Sequence, residues 1–224
     1  MPDYRDFDRL ECFTRLVGTF VNKTPLRVGM GAEPSLGSPV DLAVFRVNGV
    51  PCIPGSSLKG VMRSFTETLA RSRNWDSHPP WDLPEKEKNK DYCFVCGIFG
   101  NTELASHVRV YDLCPEASVH VFVKPGVAID RDFGGVRNLF HEEFVGPGGR
   151  WRFQMDIVNI RVFPSPEEER GQLLRSLFLT FKDPGLQVGA RKTVGAGLIT
   201  LEKAEWKLYE LENGEVKLKN SGVI

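Results

Sequence analysis

The sequence predicts an α+β fold, a modified ferredoxin-like or RRM-like core with large insertions and a projecting β-hairpin thumb. Two observations lead to this prediction. Hydrophobic patterns give the order strand, helix, strands, strand, helix, strand, which is a split βαβ arrangement. Long stretches rich in glycine and proline separate these elements, so the insertions are large. The chain has 224 residues, 41% of them hydrophobic, and we expect one domain over residues 1–224.

The first half of the chain predicts one strand and one helix. Residues 10–21 carry β-branched and aromatic residues in partial alternation, which indicates a strand. A loop rich in glycine and proline follows, over residues 22–46. The segment Pro-Gly-Ser-Ser-Leu-Lys-Gly at 54–60 then begins a helix that runs to about Arg73, with Ser56 or Ser57 as the N-cap. Its apolar residues recur at helical spacing: Leu58, Val61, Met62, Phe65 and Leu69.

The second half predicts a polar insertion, further strands, a second helix and a closing strand. Residues 76–90 are polar and rich in proline, as an insertion would be. Strand patterns occupy residues 107–113, residues 118–145 with a long hairpin-like excursion, and residues 150–163. Residues 163–181 have prolines and acids at their head and leucines behind, which indicates a helix. A glycine-rich loop and a strand complete the pattern over residues 188–211.

Charge and hydropathy restrict the classes of protein that fit. Lys plus Arg and Asp plus Glu both number 29, so there is no global basic field of the kind that a free-standing nucleic-acid binder carries. A subunit that binds nucleic acid with just one of its faces is compatible with this balance of charges. No apolar run approaches the roughly 20 residues of a membrane span, and the acidic start is unlike a signal peptide. We expect a cytoplasmic protein with no membrane partner.

Two segments are suited to binding phosphate. The helix that begins within residues 54–60 offers unpaired N–H groups, and Lys59 and Arg63 add charged donors. In residues 189–197, glycines let the backbone approach a ligand closely and form an anion-binding nest of N–H groups. Each segment also fits a purely structural interpretation, an ordinary capped helix and a flexible connection. Two such segments in one small domain are stronger evidence than either alone.

A Cys-x-x-Cys motif at Cys93 and Cys96 has the spacing of a zinc site, and the preceding insertion provides His78 as a further ligand. We predict a structural zinc ion within an insertion over residues 74–106. The fourth ligand stays open among several residues: His107, Cys114, Asp76, Asp82 and Asp91. A redox function for the motif would need a thioredoxin-like setting, which the pattern lacks.

Asp41 ends the glycine-rich loop. A carboxylate there can orient a hydroxyl, accept a proton or hold a metal ion, whereas the structural alternative is an Asx-turn residue that closes the loop. The excursion beyond residue 124 mixes the cations Lys124, Arg131 and Arg137 with apolar residues. Such a hairpin can wedge between bases and hold a nucleic-acid backbone, or it can pack on its own domain.

Four separated blocks together resemble the RAMP superfamily, the repeat-associated proteins of CRISPR systems, and most closely the backbone subunits of type III effector complexes. They are "TPLRVGMG…LGSPVDLAVFR", "VPCIPGSSLKGVMRS", "CFVCGIFGN…DLC" with "KPGVAIDR", and "VGARKTVGAGLITL", in the expected order. The resemblance implies an RRM-like core that binds guide CRISPR RNA along its backbone and stacks with copies of itself and other effector subunits. It also implies a thumb hairpin over residues 124–145 that kinks the duplex between guide and target RNA.

Catalytic members of this family cut the target RNA with an aspartate in the loop before "IPGSSLKG", and Asp41 occupies that place. It would act as a base or as a ligand of Mg²⁺ or a similar divalent ion, and Glu33 is the alternative acid in the loop. The residues expected to contact RNA are Ser56, Ser57, Lys59, Arg63, Lys124, Arg131, Arg137, Gly189, Arg191, Lys192, Gly195 and Gly197.

Three other functions stay open. The chain can be a purely structural RNA-binding subunit without nuclease activity. It can be a ribonuclease that processes guide RNA, although such an enzyme more often has a histidine in its glycine-rich region, and the four histidines here lie elsewhere. Outside the superfamily, the Cys-x-x-Cys motif fits a zinc redox protein.

Overall fold

The computed structural model describes residues 4–29, 40–82 and 91–224. Its elements in chain order are strands β1 (Cys12–Asn22), β2 (Arg46–Val47) and β3 (Val50–Pro51), helices α1 (Gly55–Ser72) and α2 (Cys96–Phe99), strands β4 (Val108–Val110), β5 (Val121–Ile129), β6 (Val136–Val145) and β7 (Arg150–Val158), helix α3 (Glu169–Lys182), and strands β8 (Leu186–Gln187), β9 (Leu198–Glu212) and β10 (Glu215–Val223).

The main sheet has the strand order of a split βαβ fold. Its neighbours run β10-β9-β1-β7-β4, with β8 added alongside β9, and every pair is antiparallel. Without β10 and β8, the order is β9-β1-β7-β4. The fourth strand of the motif, β9, therefore lies beside the first, β1, and the third, β7, lies between the first and the second, β4. The curled antiparallel sheet and the two long helices confirm the predicted ferredoxin-like α+β core.

Both long helices cover the same face of the sheet. Helix α1 packs against α3 and β4, and α3 packs against β9. Alternate residues of β1 point to the helices, so Leu16 and Phe20 are fully buried. The ring of Phe20 meets Phe153 and Phe181 edge to face, each at 5.0 Å between centroids. This core fixes one face of the sheet and leaves the other face open to partners or solvent.

The start of α1 differs from the expectation. Its N-cap is Pro54, and neither Ser56 nor Ser57 caps the helix with its side chain. Instead the carboxylate of Asp112 accepts the backbone N–H of Gly55 at 2.7 Å. A Cβ atom on Gly55 would lie 2.3 Å from the carbonyl oxygen of Val110, so glycine lets the helix begin directly against β4. The cap therefore comes from a distant segment, which local sequence does not reveal.

The C-terminal hairpin was not predicted. Strands β9 and β10 pair through a turn at Asn213 and Gly214, which have φ angles of 54° and 82°. Asn-Gly with two positive φ angles is the signature of a type I′ hairpin turn. The predicted closing strand ends at residue 211, although the Asn-Gly dipeptide that follows itself indicates a hairpin and a further strand.

Strands β5 and β6 form a hairpin with a two-stranded sheet of its own. At its tip, Asp130 accepts the N–H groups of Asp132 and Phe133 through its side chain, and Gly134 adopts a φ of 67°. The Phe133 side chain is 91% exposed. The strands stay paired well beyond the body of the domain, so the predicted projecting hairpin is present.

Candidate functional site

The hairpin and the glycine-rich loop meet at one end of the main sheet. Strand β1 ends there, while β7 and β9 begin there, since Val21 lies opposite Arg150 and Asn22 opposite Ile199. The N–H of Gly148, just after the hairpin, donates to the carbonyl of Asn22 at 2.7 Å. The glycine-rich loop leads into β9 at the same end. The antiparallel register thus places two segments that are far apart in sequence side by side.

A groove of about 570 Å³ lies between the hairpin and this loop. We call it the hairpin groove; Lys124, Phe140 and Glu142 line it from the hairpin, and Arg191 and Gly195 line it from the loop. Lys124 is the direct cross-strand partner of Glu142, so both side chains point to the same face of the hairpin. Three of the residues predicted to contact RNA, from two separate segments, therefore line one groove.

The hairpin groove carries an excess of positive charge. Glu142 is 5% exposed and accepts the Nε–H of Arg191 at 3.0 Å, and it also lies 3.5 Å from Nη1 of Arg27. Burial lowers the pKa of Arg27, and Glu142 only partly opposes this effect. One carboxylate thus serves two guanidinium groups. Lys124 in the groove and Lys192, next to Arg191 in the loop, are exposed and have no ion-pair partner among the described residues. An anion in the groove would balance this charge.

Glycines shape the loop. Gly189 and Gly197 both have a φ of 84°, and an added Cβ would lie 2.2 Å from the Arg27 carbonyl oxygen or 2.1 Å from that of Val188. Both positions therefore exclude other residues. Gly195 has the same φ, but nothing lies within 4 Å of its added Cβ. Its open backbone is the part of the loop that a ligand can approach.

The predicted residues on α1 separate into two groups. Ser56 is exposed and Ser57 and Lys59 are half-buried. Burial lowers the pKa of Lys59, and the neighbouring charge of Arg63 lowers it further, so a phosphate beside Lys59 would stabilise its charged form.

The guanidinium of Arg63 contacts other parts of the protein. It donates to Glu67 at 2.9 Å, to the Cys96 sulfur at 3.3 Å and to the Gly100 carbonyl. These contacts favour a structural role for Arg63 over the predicted contact with RNA.

The predicted metal ligands lie together in a buried cluster. The Nε2 atom of His78 is 3.6 Å from both the Cys93 and the Cys96 sulfurs. Tetrahedral zinc with ordinary bond lengths separates nitrogen and sulfur ligands by about 3.6 Å. The other ring nitrogen of His78 contacts the Pro79 carbonyl at 2.9 Å, which would orient the ring toward a metal. The donor set and its spacing therefore fit a zinc ion, which would hold this segment in place.

None of the suggested fourth ligands joins this cluster within the described chain. His107 contacts the Asp6 carboxylate at 2.7 Å, and the Cys114 sulfur lies 3.5 Å from that of Cys52. The segment that contains Cys93 and Cys96 is also less peripheral than the term insertion implies. It contributes Tyr92, Val95, Ile98, Phe99 and Leu104 to the main hydrophobic core.

Asp41 lies at the outer edge of the hairpin, where residues 41 and 42 pair with the backbone of β6. Its Oδ2 atom accepts the backbone N–H of His141 at 2.7 Å and lies 3.7 Å from Nδ1 of the same residue. The side chains of Asp41 and His141 are 55% and 43% exposed. The pair was missed because His141 becomes a neighbour of Asp41 only when the loop pairs with β6. Glu33, the alternative acid, lies outside the described residues.

The remaining predicted cations, Arg131 and Arg137, lie on the distal part of the hairpin and are exposed. They do not line the hairpin groove. Apolar side chains accompany them, with Ile129 60% and Val136 72% exposed. The distal hairpin therefore presents cations and apolar groups together, outside the compact body of the protein.

Comparison with known families agrees with this geometry. The family model described as RAMP superfamily matches residues 19–200, and the chain belongs to this superfamily. Membership implies a CRISPR-associated RNA-binding role. No curated protein matches the chain. No helix in the described ranges has the length and apolar content that crossing a bilayer requires.

Proposed function

We propose that the chain is a guide-RNA-binding backbone subunit of a type III CRISPR effector complex and that the hairpin groove holds the RNA backbone. The observation that carries the proposal is the excess of cations in and next to the groove, where one buried glutamate serves both Arg191 in the lining and the neighbouring Arg27. Copies of the chain, other effector subunits and the target RNA are the further partners; they rest on the family resemblance.

The ring of Phe140 adds a second kind of contact. It lies under the Arg191 guanidinium, 5.4 Å from centroid to carbon, and lines the same groove. A cation and an aromatic face side by side suit single-stranded RNA, whose phosphates and bases alternate along the strand. Gly195 leaves room for the backbone to approach. Contacts of these kinds read the RNA backbone and base faces, so binding is independent of sequence.

The open face of the main sheet is the alternative RNA surface, because RRM-like proteins bind bases on their sheets. Several of its charges, however, pair within the protein. Arg15 binds Asp156 through two hydrogen bonds of 2.8 and 2.9 Å, and the Tyr111 hydroxyl donates to the same carboxylate. Arg150 likewise contacts Glu116 at 2.9 Å. This mixed-charge face suits a protein neighbour better than a polyanion.

Cleavage of target RNA near Asp41 is the second part of the proposal, and the exposed carboxylate beside the hairpin favours it. RNA cleavage by its own 2′-hydroxyl needs a proton acceptor close to a displaced nucleotide. The projecting hairpin would displace the nucleotide, and Asp41 would accept the proton. A Mg²⁺ ion at Asp41 would take most of its ligands from RNA phosphates and water, since no cluster of three protein ligands includes Asp41 in the described chain.

RNA binding tests the groove directly. Lys124→Gln and Lys192→Gln each remove one charge, whereas Lys217→Gln removes an exposed charge from β10 and serves as the matched control. We expect the variants of Lys124 in the groove and of Lys192 in the adjoining loop each to weaken binding of guide RNA and of unrelated single strands alike, and to lower the salt slope by roughly one unit or less. Equal affinities and slopes for all three variants and the wild type would contradict the proposal.

A further inference from the structure

We infer that His141 is the second proton-transfer group of the cleavage site, donating a proton to the departing 5′-oxygen while Asp41 accepts one from the 2′-hydroxyl. This inference rests on the proposed cleavage function and names a residue that nothing in the sequence motifs identifies. It starts from the contact between Nδ1 of His141 and Oδ2 of Asp41, at 3.7 Å. Both side chains are about half exposed, so a substrate can reach them.

The backbone holds the two groups in a fixed relation. The N–H groups of Asp41 and Leu42 both donate to the carbonyl of His141 at 3.1 Å, and the N–H of Glu143 donates to the carbonyl of Leu42 at 3.0 Å. Arg46 and Glu143 form an ion pair on the same side, with 2.7 Å between Nη1 and Oε2. The loop and the hairpin strand are therefore joined at the Asp41–His141 pair and at the residues that follow it in both segments. Such restraint is what a proton-transfer pair requires.

The side of the ring that would act is available. With Nδ1 turned toward Asp41, Nε2 of His141 lies on the far edge of the ring, away from the carboxylate. Residues 139 and 141 point to the same face of β6, opposite the face of Phe140 and Glu142. The guide RNA held in the groove would therefore lie on one face of the hairpin, and the target RNA at His141 would lie on the other. The hairpin would thus separate the guide RNA, which is held, from the target RNA, which is cut.

The proton balance closes without another reactant. The 2′-oxygen attacks phosphorus as its proton passes to the Asp41 carboxylate, and the bond from phosphorus to the 5′-oxygen breaks as that oxygen takes the proton from His141 Nε2. The products are a 2′,3′-cyclic phosphate and a 5′-hydroxyl. Protonated Asp41 and neutral His141 then regain their starting forms by proton exchange through solvent or across the 3.7 Å between them. Imidazole suits this role because histidine is the side chain that most often transfers protons in catalysis.

The experiment compares two leaving groups in the assembled effector complex. One target RNA has the normal 5′-oxygen at the cut position, and the other has a bridging 5′-sulfur, which departs as a thiolate and needs no proton. We expect His141→Ala and His141→Gln to slow cleavage of the normal RNA by about 10²-fold or more and to cut the sulfur RNA nearly as fast as the wild type. His120→Ala, at an exposed histidine beside the hairpin base, is the matched control.

Each of the other outcomes contradicts either the role of His141 or the proposed cleavage. If the His141 variants lost cleavage activity equally on both RNAs and kept their RNA affinity, His141 would be a structural anchor of the loop. That result would overturn the inference. Unchanged cleavage of the normal RNA by both His141 variants would also overturn it, while the proposed function would stand. A wild-type complex that binds matched RNA and never cuts it would overturn cleavage by this chain, and with it the role of His141, but not RNA binding in the hairpin groove.

Discussion

Arg63 provides a sharp test because its predicted and observed surroundings lead to opposite results. The sequence places it at the phosphate-suited start of α1, whereas in the structure its guanidinium lies 3.3 Å from the Cys96 sulfur. Replacement by methionine keeps the apolar stem and removes the charge. Hydrogen bonds from a neighbouring residue support a metal ligand, and their loss typically weakens metal affinity by about 10–100-fold. We expect a loss of this size for zinc in Arg63→Met.

The same change also removes the partner of Glu67. Both side chains of this ion pair are 11% exposed, so the glutamate would stay buried without its cation. Breaking a buried pair costs about 3–5 kcal/mol. For a chain of this size, each kcal/mol lowers the Tm by roughly 2–4 °C, so we expect a decrease of about 6–20 °C. The double variant Arg63→Met/Glu67→Met leaves no unpaired charge and should recover much of this loss.

Three measurements decide the role of Arg63. Competition with a colorimetric zinc chelator gives the metal affinity, thermal unfolding gives the Tm, and RNA titration at several salt concentrations gives the slope. Lys59→Met, on the same helix, is the matched control and should weaken RNA binding while zinc affinity stays unchanged. A lower RNA salt slope with unchanged zinc affinity in Arg63→Met would refute the reasoning and restore Arg63 as an RNA contact.

Three further predictions concern other parts of the chain. Cys93→Ser should reduce zinc from about one ion per chain to none by elemental analysis, whereas Cys114→Ser, outside the cluster, should keep it; equal zinc contents would contradict the site. Gly197→Ala should lower the Tm by several degrees, because its Cβ would lie 2.1 Å from the Val188 carbonyl oxygen, and an unchanged Tm would show that the loop adapts. Phe133→Ala should keep the Tm but blur the spacing of target cuts on a sequencing gel, because this exposed ring is at the hairpin tip; an unchanged cut pattern would make the tip a contact between subunits.

Patterns with a short period in the sequence predicted the fold well. Alternation in residues 10–21 and helical spacing from Leu58 to Leu69 identified elements whose buried faces the structure confirms. Tertiary contacts overrode local signals at the start of α1, where Asp112 from another segment provides the cap. The missed hairpin at Asn213 was different, because its turn signal was present in the sequence.

The candidate site was harder to predict for a physical reason. Lys124 and Arg191 carry no shared motif, and they share the hairpin groove only because the antiparallel register puts the hairpin beside the glycine-rich loop. His141 and Glu142 are adjacent in sequence but point to opposite faces of β6, one toward Asp41 and one toward the groove. The candidate metal ligands were identifiable because the spacing of Cys93 and Cys96 is itself local.

Cross-linking of bound RNA tests the central claim most directly. The full chain is loaded with guide RNA that contains 4-thiouridine, irradiated, and mapped by mass spectrometry. Binding in the hairpin groove predicts cross-links at Phe140 and within residues 189–197, and Lys124→Gln together with Lys192→Gln should reduce them. Cross-links confined to Phe13, Tyr111 and Tyr209 on the open face of the sheet, unchanged by those two substitutions, would contradict it.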